Sequence, residues 1–255
     1  MNSSEIVQQR LHNQRLTSSE FKKPVEVVKW LGAVQAQDFH GAKWAIAQRM
    51  RDTTNTVVEE AYNKGRIVRT HIMRPTRHFV APDDIRWLLE LTAPRVNIGC
   101  GSNYRKLELD ERILRKCNKA LARALHATQH LTRAALRESL DGRVHWSTLS
   151  RLPAGRSLQL ANLLPAFDEY LVAYRDRKAV FEGPDGKMLN TVNGIFAPTI
   201  IIDGKLAGSW KPAKDNRSVM IDLNPFRPLN SPERLAVVKA ASRYASFLGL
   251  TATIM

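Results

Sequence analysis

The stretch KGRIVRTHIMRPTRHFVAPDD, running from Lys64 to Asp84, decides how the rest of the chain is read. Ile67, Arg69, His71 and Met73 alternate with Val68, Thr70 and Ile72, the two-residue period of a strand with unlike faces. Arg74-Pro75-Thr76 breaks that period as a turn, and Arg77 to Val80 returns as a second strand. Pro82-Asp83-Asp84 then suits the first turn of a helix over Ile85 to Thr92. From Asn63 to His78 there are five Lys/Arg residues and no Asp or Glu. Such a one-signed ribbon is either a solvated edge whose charges discourage stray pairing, or a device for gripping phosphates. The phosphate reading uses Arg69, Arg74 and Arg77, with His71 and His78.

Helical patterns precede the ribbon. Ser4 to Leu16 reads as one helix. Pro24 starts a second, with Val25, Val27, Val28, Leu31 and Val34 facing a core. Ala42 to Met50 and Thr56 to Tyr62 supply two more, the last ending at Gly65. Helices followed by a two-stranded ribbon describe a winged helix-turn-helix. A basic helix follows over Leu109 to His126, and Leu131 to Leu140 (LTRAALRESL) starts what reads as a second such unit. That unit dissolves into GRVHWSTLSRLPAGRS, which has no clear period.

The fold class expected is therefore α+β, a tandem winged-helix architecture with a small C-terminal β-containing lobe. Residues 1–140 form the N-terminal winged-helix lobe, 141–162 a linker or truncated second unit, and 163–255 the C-terminal α+β lobe. In that last lobe Thr199 to Ile202 and Leu206 to Trp210 flank Asp203-Gly204, a strong hairpin signal. Ser218 to Leu223 is a third strand candidate, and Pro232-Glu233 open a final helix through Phe247.

The 255 residues suffice for a sizeable core. No apolar run approaches the ~20 residues of a membrane span, and MNSSEIVQQR lacks the apolar centre of a signal peptide. Cys100 and Cys117 are the only cysteines, which suits a reduced, cytoplasmic chain. A net charge of +15 predicts attraction to a polyanion, nucleic acid before membrane. The seven histidines lack metal-ligand spacing, so no metal is expected. No phosphate-cradling glycine motif indicates a nucleotide cofactor, and no nucleophile motif is present. Asp168 and Glu169 are adjacent, and a structural role for them with Arg175 or Arg177 is expected.

One polar motif stands out at a helix end, GAVQAQDFH, Gly32 to His40. On a helix, Gln35 and Gln37 would point ~200° apart, whereas an extended backbone puts both on one side with Ala36 on the other. Two amides would then offer two carbonyl oxygens and two NH2 groups to one small volume. By residue type alone they are ordinary polar residues at a helix end.

Taken together, these segments resemble the AlkZ/YcaQ family of winged-helix DNA glycosylases. The resemblance rests on VVKWLGAVQAQDFHGAKWAIAQR, then GRIVRTHIMRPTRHFVAPDDIRWLLELTAPR, then LLPAFDEYLVAYRDR and VNGIFAPTIIIDGKLAGSWK. The family signature is Gln, an apolar residue, then Gln or Asp, which Gln35-Ala36-Gln37 matches. The resemblance implies that Gln35 and Gln37 are catalytic and that the hairpin from Arg74 through Thr76 and Arg77 to His78 holds the duplex. It implies metal-independent excision of alkylated, cationic N7 or N3 purines, with bulky adducts or interstrand crosslinks as further substrates. The partner would be double-stranded DNA carrying alkylated bases, the chain a monomer needing no cofactor, and its place the cytoplasm, on the nucleoid. One departure is a middle region shorter than the family's, which leaves a non-catalytic winged-helix DNA-binding protein or regulator as the alternative.

Overall fold

The ribbon is present, and a third strand joins it. The computed structural model describes residues 3–17, 20–73, 76–127, 131, 135–136, 161–174, 176–181, 197–215 and 217–255. Arg74, Pro75 and nearly all of the expected second unit from Leu131 to Leu140 lie outside the described residues.

After α1 (Ser3–Asn13), α2 (Pro24–Leu31) starts where the Glu26 carboxylate accepts from the backbone N–H groups of Lys22 and Lys23, at 2.9 and 3.0 Å. Those two bonds hold the Glu26 carboxyl below its usual pKa. Gly32 ends the helix at φ 72°, a conformation that other residues rarely adopt, so Val34 leaves the expected helix for a strand. That strand is β1 (Val34–Gln35), followed by α3 (Phe39–Ala47), α4 (Asn55–Asn63), β2 (Val68–His71) and β3 (Arg77–Val80). The sheet order is β1-β3-β2, with Val34 opposite Phe79 and Gln35 opposite His78. The helices α2, α3 and α4 and this small sheet follow one another in the first part of the chain.

The compact units cut across the expected lobe boundaries. One comprises residues 1–70, 77–85 and 151–255, the other 71–76 and 86–150. In the first, a five-stranded sheet of order β4-β5-β6-β7-β8 accompanies the elements just described. Its strands are β4 (Ala161–Leu164), β5 (Thr199–Ile202), β6 (Lys205–Lys214), β7 (Ser218–Pro225) and β8 (Thr251–Ile254). All neighbours are antiparallel except β7 and β8.

Both faces of this sheet are covered, which explains the unbroken apolar run of β5. Ile200 and Ile202 share one core with Val27, Trp44, Phe79 and Tyr244, while Ile201 belongs to a second with Val7, Leu11 and Tyr170. Tyr244 lies on α8 (Ser231–Leu248) and Tyr170 on the short α7 (Glu169–Val172). The rings of Trp44 and Trp210 each meet Tyr244 edge-on, at 5.1 and 5.0 Å between centroids. Their indole N–H groups donate to the carbonyls of Leu163 and Leu164, both at 2.8 Å, so neither polar tip is stranded. At the β5–β6 turn Gly204 has φ 76°, and a Cβ there would collide with Val7 and Leu11 of α1.

In the second unit α5 (Ile85–Lys106) runs past the expected end at Thr92 and through Pro94. Proline removes the N–H that would bond the Glu90 carbonyl, at a place where both residues are exposed. Next, α6 (Glu111–Ala127) starts at Asp110, whose carboxylate accepts from the Ile113 N–H at 2.7 Å.

Candidate active site

Gln35 and Gln37 lie in a segment held from three sides. On one side, β1 pairs with β3, and the Ala36 N–H donates to the Arg77 carbonyl at 2.7 Å. From another, the Glu169 carboxylate accepts the Gln35 backbone N–H at 2.9 Å. That contact caps the strand edge that faces away from β3. From the third, the Arg69 guanidinium donates to the Ala36 carbonyl through Nε and Nη2, at 2.9 and 2.7 Å, and to the Gln37 carbonyl at 3.2 Å. Arg69 also lies over the Phe39 ring, 5.2 Å from its centroid. Partial burial, and then the Arg77 charge, lower the Arg69 pKa.

The two amides are not equivalent. Gln35 is buried and stands opposite the fully buried His78. Gln37 is exposed, and its side-chain Oε1 accepts from the Arg77 backbone N–H at 3.0 Å. A backbone donor selects oxygen over nitrogen, so the orientation of the Gln37 amide is fixed by chemistry. Carbonyl oxygen has two lone pairs, and one bond leaves the other available. Just beyond, Asp38 caps α3 by accepting from the His40 N–H at 3.1 Å.

The residues expected to grip DNA separate by placement. Arg69 braces the glutamine segment instead of extending from the ribbon, because two backbone carbonyls lie within its reach. His78 is fully buried, as are Phe79 and Val80, because both faces of the middle strand β3 are covered there, while Arg77 stays exposed. Thr76 is half-buried, and Arg74 lies outside the described residues. Arg77 alone among these is a described, exposed cation.

Sequence reasoning missed what positions Glu169. The Asp168 carboxylate pairs with Arg49 at 2.8 and 2.9 Å, both side chains fully buried; of the partners expected, Arg175 lies outside the described residues and Arg177 donates through Nε to the Leu171 carbonyl at 2.7 Å. Arg49 donates further to the Gln14 and Ala45 carbonyls, both at 2.8 Å, and to Gln14 Oε1 at 3.0 Å, so every guanidinium N–H is used. Asp168 also caps α7 through the Tyr170 N–H, at 2.9 Å, which sets the adjacent Glu169 against β1. Arg49 and Asp168 stand 119 positions apart, and no local spacing announces the pair.

In the second unit, α6 sets a half-buried stripe of Ile113, Leu114, Cys117, Leu121 and Ala124 against an exposed one of Arg112, Arg115, Lys116, Lys119 and Arg123. In the first unit, by contrast, α4 has no Lys or Arg. Its Glu59 pairs with Lys43 at 2.9 Å, and its Glu60 with Lys64.

A protein-family model described as DNA glycosylase AlkZ-like matches residues 28–158 and 147–247. Among solved structures, the chain is similar to a Streptomyces sahachiroi DNA glycosylase AlkZ, with a TM-score of 0.58 and 15% sequence identity over 100% of both chains. At that identity the likeness speaks for the fold. No curated protein matches the chain at a significant level.

Proposed function

Because the chain belongs to the AlkZ-like family of DNA glycosylases, we propose that it excises alkylated, cationic purines from duplex DNA, with Gln37 as the residue that meets the reacting centre. The observation carrying this reading is the exposed Gln37 amide, its oxygen fixed on the Arg77 backbone N–H with one lone pair left.

A purine alkylated at N7 or N3 is positively charged, so its bond to the sugar breaks without a proton donor. The bonding electrons pass to the departing purine, whose charge is neutralised, and positive charge develops at C1′. Water then bonds to C1′ and its proton passes to solvent. An amide does not titrate near neutral pH, so Gln37 acts by its dipole, orienting that water and stabilising the developing cation. The pre-fixed oxygen needs no reorganisation when the charge appears. Gln35, buried, contributes through its backbone and its packing in β1. Uncharged bases leave poorly, which makes the mechanism selective for damage.

Arg77 and the basic stripe of α6 are the proposed phosphate contacts, with bulky adducts and crosslinks as further substrates. A sequence-reading regulator would lay the second helix of its helix-turn-helix in the major groove. On the winged-helix reading that helix is α4, which has no Lys or Arg to meet phosphates and whose Glu59 and Glu60 are paired with lysines. The test compares abasic-site formation in duplexes with a single N7-methylguanine and in undamaged duplexes. Abasic sites in the damaged duplex alone are expected; equal attack on both, or on neither, contradicts the reading.

A further inference from the structure

Among the described residues, Phe167 is the one aromatic whose backbone lies in the left-handed region, at φ 62°. Bulky side chains rarely adopt that conformation, because Cβ crowds the carbonyl that follows. A turn that needed only its backbone would be better served by Gly or Asn. Such strain persists where the surroundings over-determine the backbone, and it clusters at functional sites.

The surroundings here fix the turn from both ends. Before it, the indoles of Trp44 and Trp210 hold the Leu163 and Leu164 carbonyls. After it, Arg49 holds Asp168, and Glu169 accepts the Gln35 N–H. Across it, the Asp168 N–H donates to the Pro165 carbonyl at 3.4 Å. The turn also lies along the glutamine segment. Glu169 meets that segment at Gln35, and Pro165 meets it at Gly41, where a Cβ would come within 3.1 Å of the proline ring. Phe167 stands midway between these two contacts. From Ala161 to Leu171 only Ala166 and Phe167 are partly exposed, and among the described residues the Phe167 ring contributes to neither core. Phe39, a second partly exposed ring of this region, already faces Lys43 and Arg69, at 4.9 and 5.2 Å from its centroid.

We propose that Phe167 is the ring against which the damaged base is recognised, and that it selects purines by their positive charge. The inference rests on the proposed excision of cationic purines. An aromatic face carries negative charge density and attracts a cation laid over it, most strongly where water is excluded. A purine methylated at N7 is such a cation and flat enough to stack, whereas its unmodified parent is uncharged. As the bond to the sugar breaks, the charge leaves the purine, so the ring holds the substrate more firmly than the transition state. Phe167 therefore determines specificity and does not speed bond breakage.

The test uses two duplexes with one modified nucleotide each. One carries 2′-fluoro-N7-methylguanine; the other carries its 7-deaza analogue, which keeps the methyl group and the shape but has no charge. The fluorine destabilises the sugar cation, so the charged base stays in place during the measurement. Wild type should bind the charged duplex about fivefold more tightly than the neutral one. Phe167→Leu, which keeps apolar bulk, and Phe167→Asn, which suits the left-handed backbone, should each bind the two equally. Phe167→Tyr should retain the preference. With cleavable N7-methylguanine, Phe167→Leu should raise KM and leave kcat undiminished. Equal affinities in wild type, or a preference kept by the Leu and Asn variants, would overturn the proposal. A wild type that releases no N7-methylguanine would instead overturn the reading of base excision, and this inference with it.

Discussion

The side-chain oxygen of Gln37 accepts the backbone N–H of Arg77 at 3.0 Å, so an exposed amide in a loop is oriented by a strand of the adjoining sheet. That donor belongs to the backbone and survives any change of the Arg77 side chain except to proline. Arg77→Ala should therefore leave the rate of base release from bound DNA near wild type while weakening binding. The salt slope of log Kd should fall by about one. An unchanged slope would remove Arg77 from the phosphate contacts.

Arg69 bonds the carbonyls of Ala36 and Gln37, and its loss should loosen the segment that carries the amide. Charge-assisted bonds of this kind are worth roughly 1.5–3 kcal/mol. Arg69→Ala should lower the urea midpoint by the equivalent of about 2 kcal/mol and slow base release more than it weakens DNA binding. Loss of affinity with an unchanged rate in saturating DNA would instead make Arg69 a phosphate contact, as the ribbon's sequence suggests.

Breaking the buried Arg49–Asp168 pair leaves a buried charge without its counter-charge. Asp168→Asn should cost roughly 3–5 kcal/mol in denaturant unfolding, far more than Glu169→Gln, whose amide oxygen can still accept the Gln35 N–H. Equal costs would mean that the two acids do not divide their roles in this way.

How much of this was legible in the sequence follows from the range of each interaction. The β5–β6 hairpin was readable because Asp203-Gly204 dictates its turn locally, and α8 because Pro232 and Glu233 mark its first turn, where Glu233 forms a capping box with Asn230. The strands β4 and β8 were not: β4 is a short apolar run, and β8 gains its identity by pairing in parallel with β7 across a whole helix. Alternation in the ribbon located β2 and β3 but not the burial of His78, which depends on what packs beneath β3. The glutamine motif was visible as a pattern. Its supports, Arg69 and Glu169, lie 32 and 134 residues away along the chain and come together only through the fold.

The start of α8 is sensitive to acid. Arg227 donates to Glu233 at 2.6 and 2.8 Å, the Asn230 N–H adds a third bond, and together they lower the Glu233 pKa to about 2. A depressed carboxyl stabilises the fold fully above its unfolded value, near 4.5, and loses that contribution as pH falls toward about 2. The Tm difference between wild type and Glu233→Gln should be largest above that window and shrink through it. A difference that stays constant from neutral pH to about 2 would exclude the ionised pair as its source.

The central claim is that the Gln37 amide performs the chemistry. Its most direct test is base release from duplex DNA bearing one N7-methylguanine, by wild type and Gln37→Ala, with duplex affinity measured alongside. Loss of one aligned dipole should slow release roughly 10²- to 10³-fold and leave affinity, which phosphate contacts dominate, nearly unchanged. Release at the wild-type rate by Gln37→Ala, or a parallel loss of release and affinity, would contradict the account.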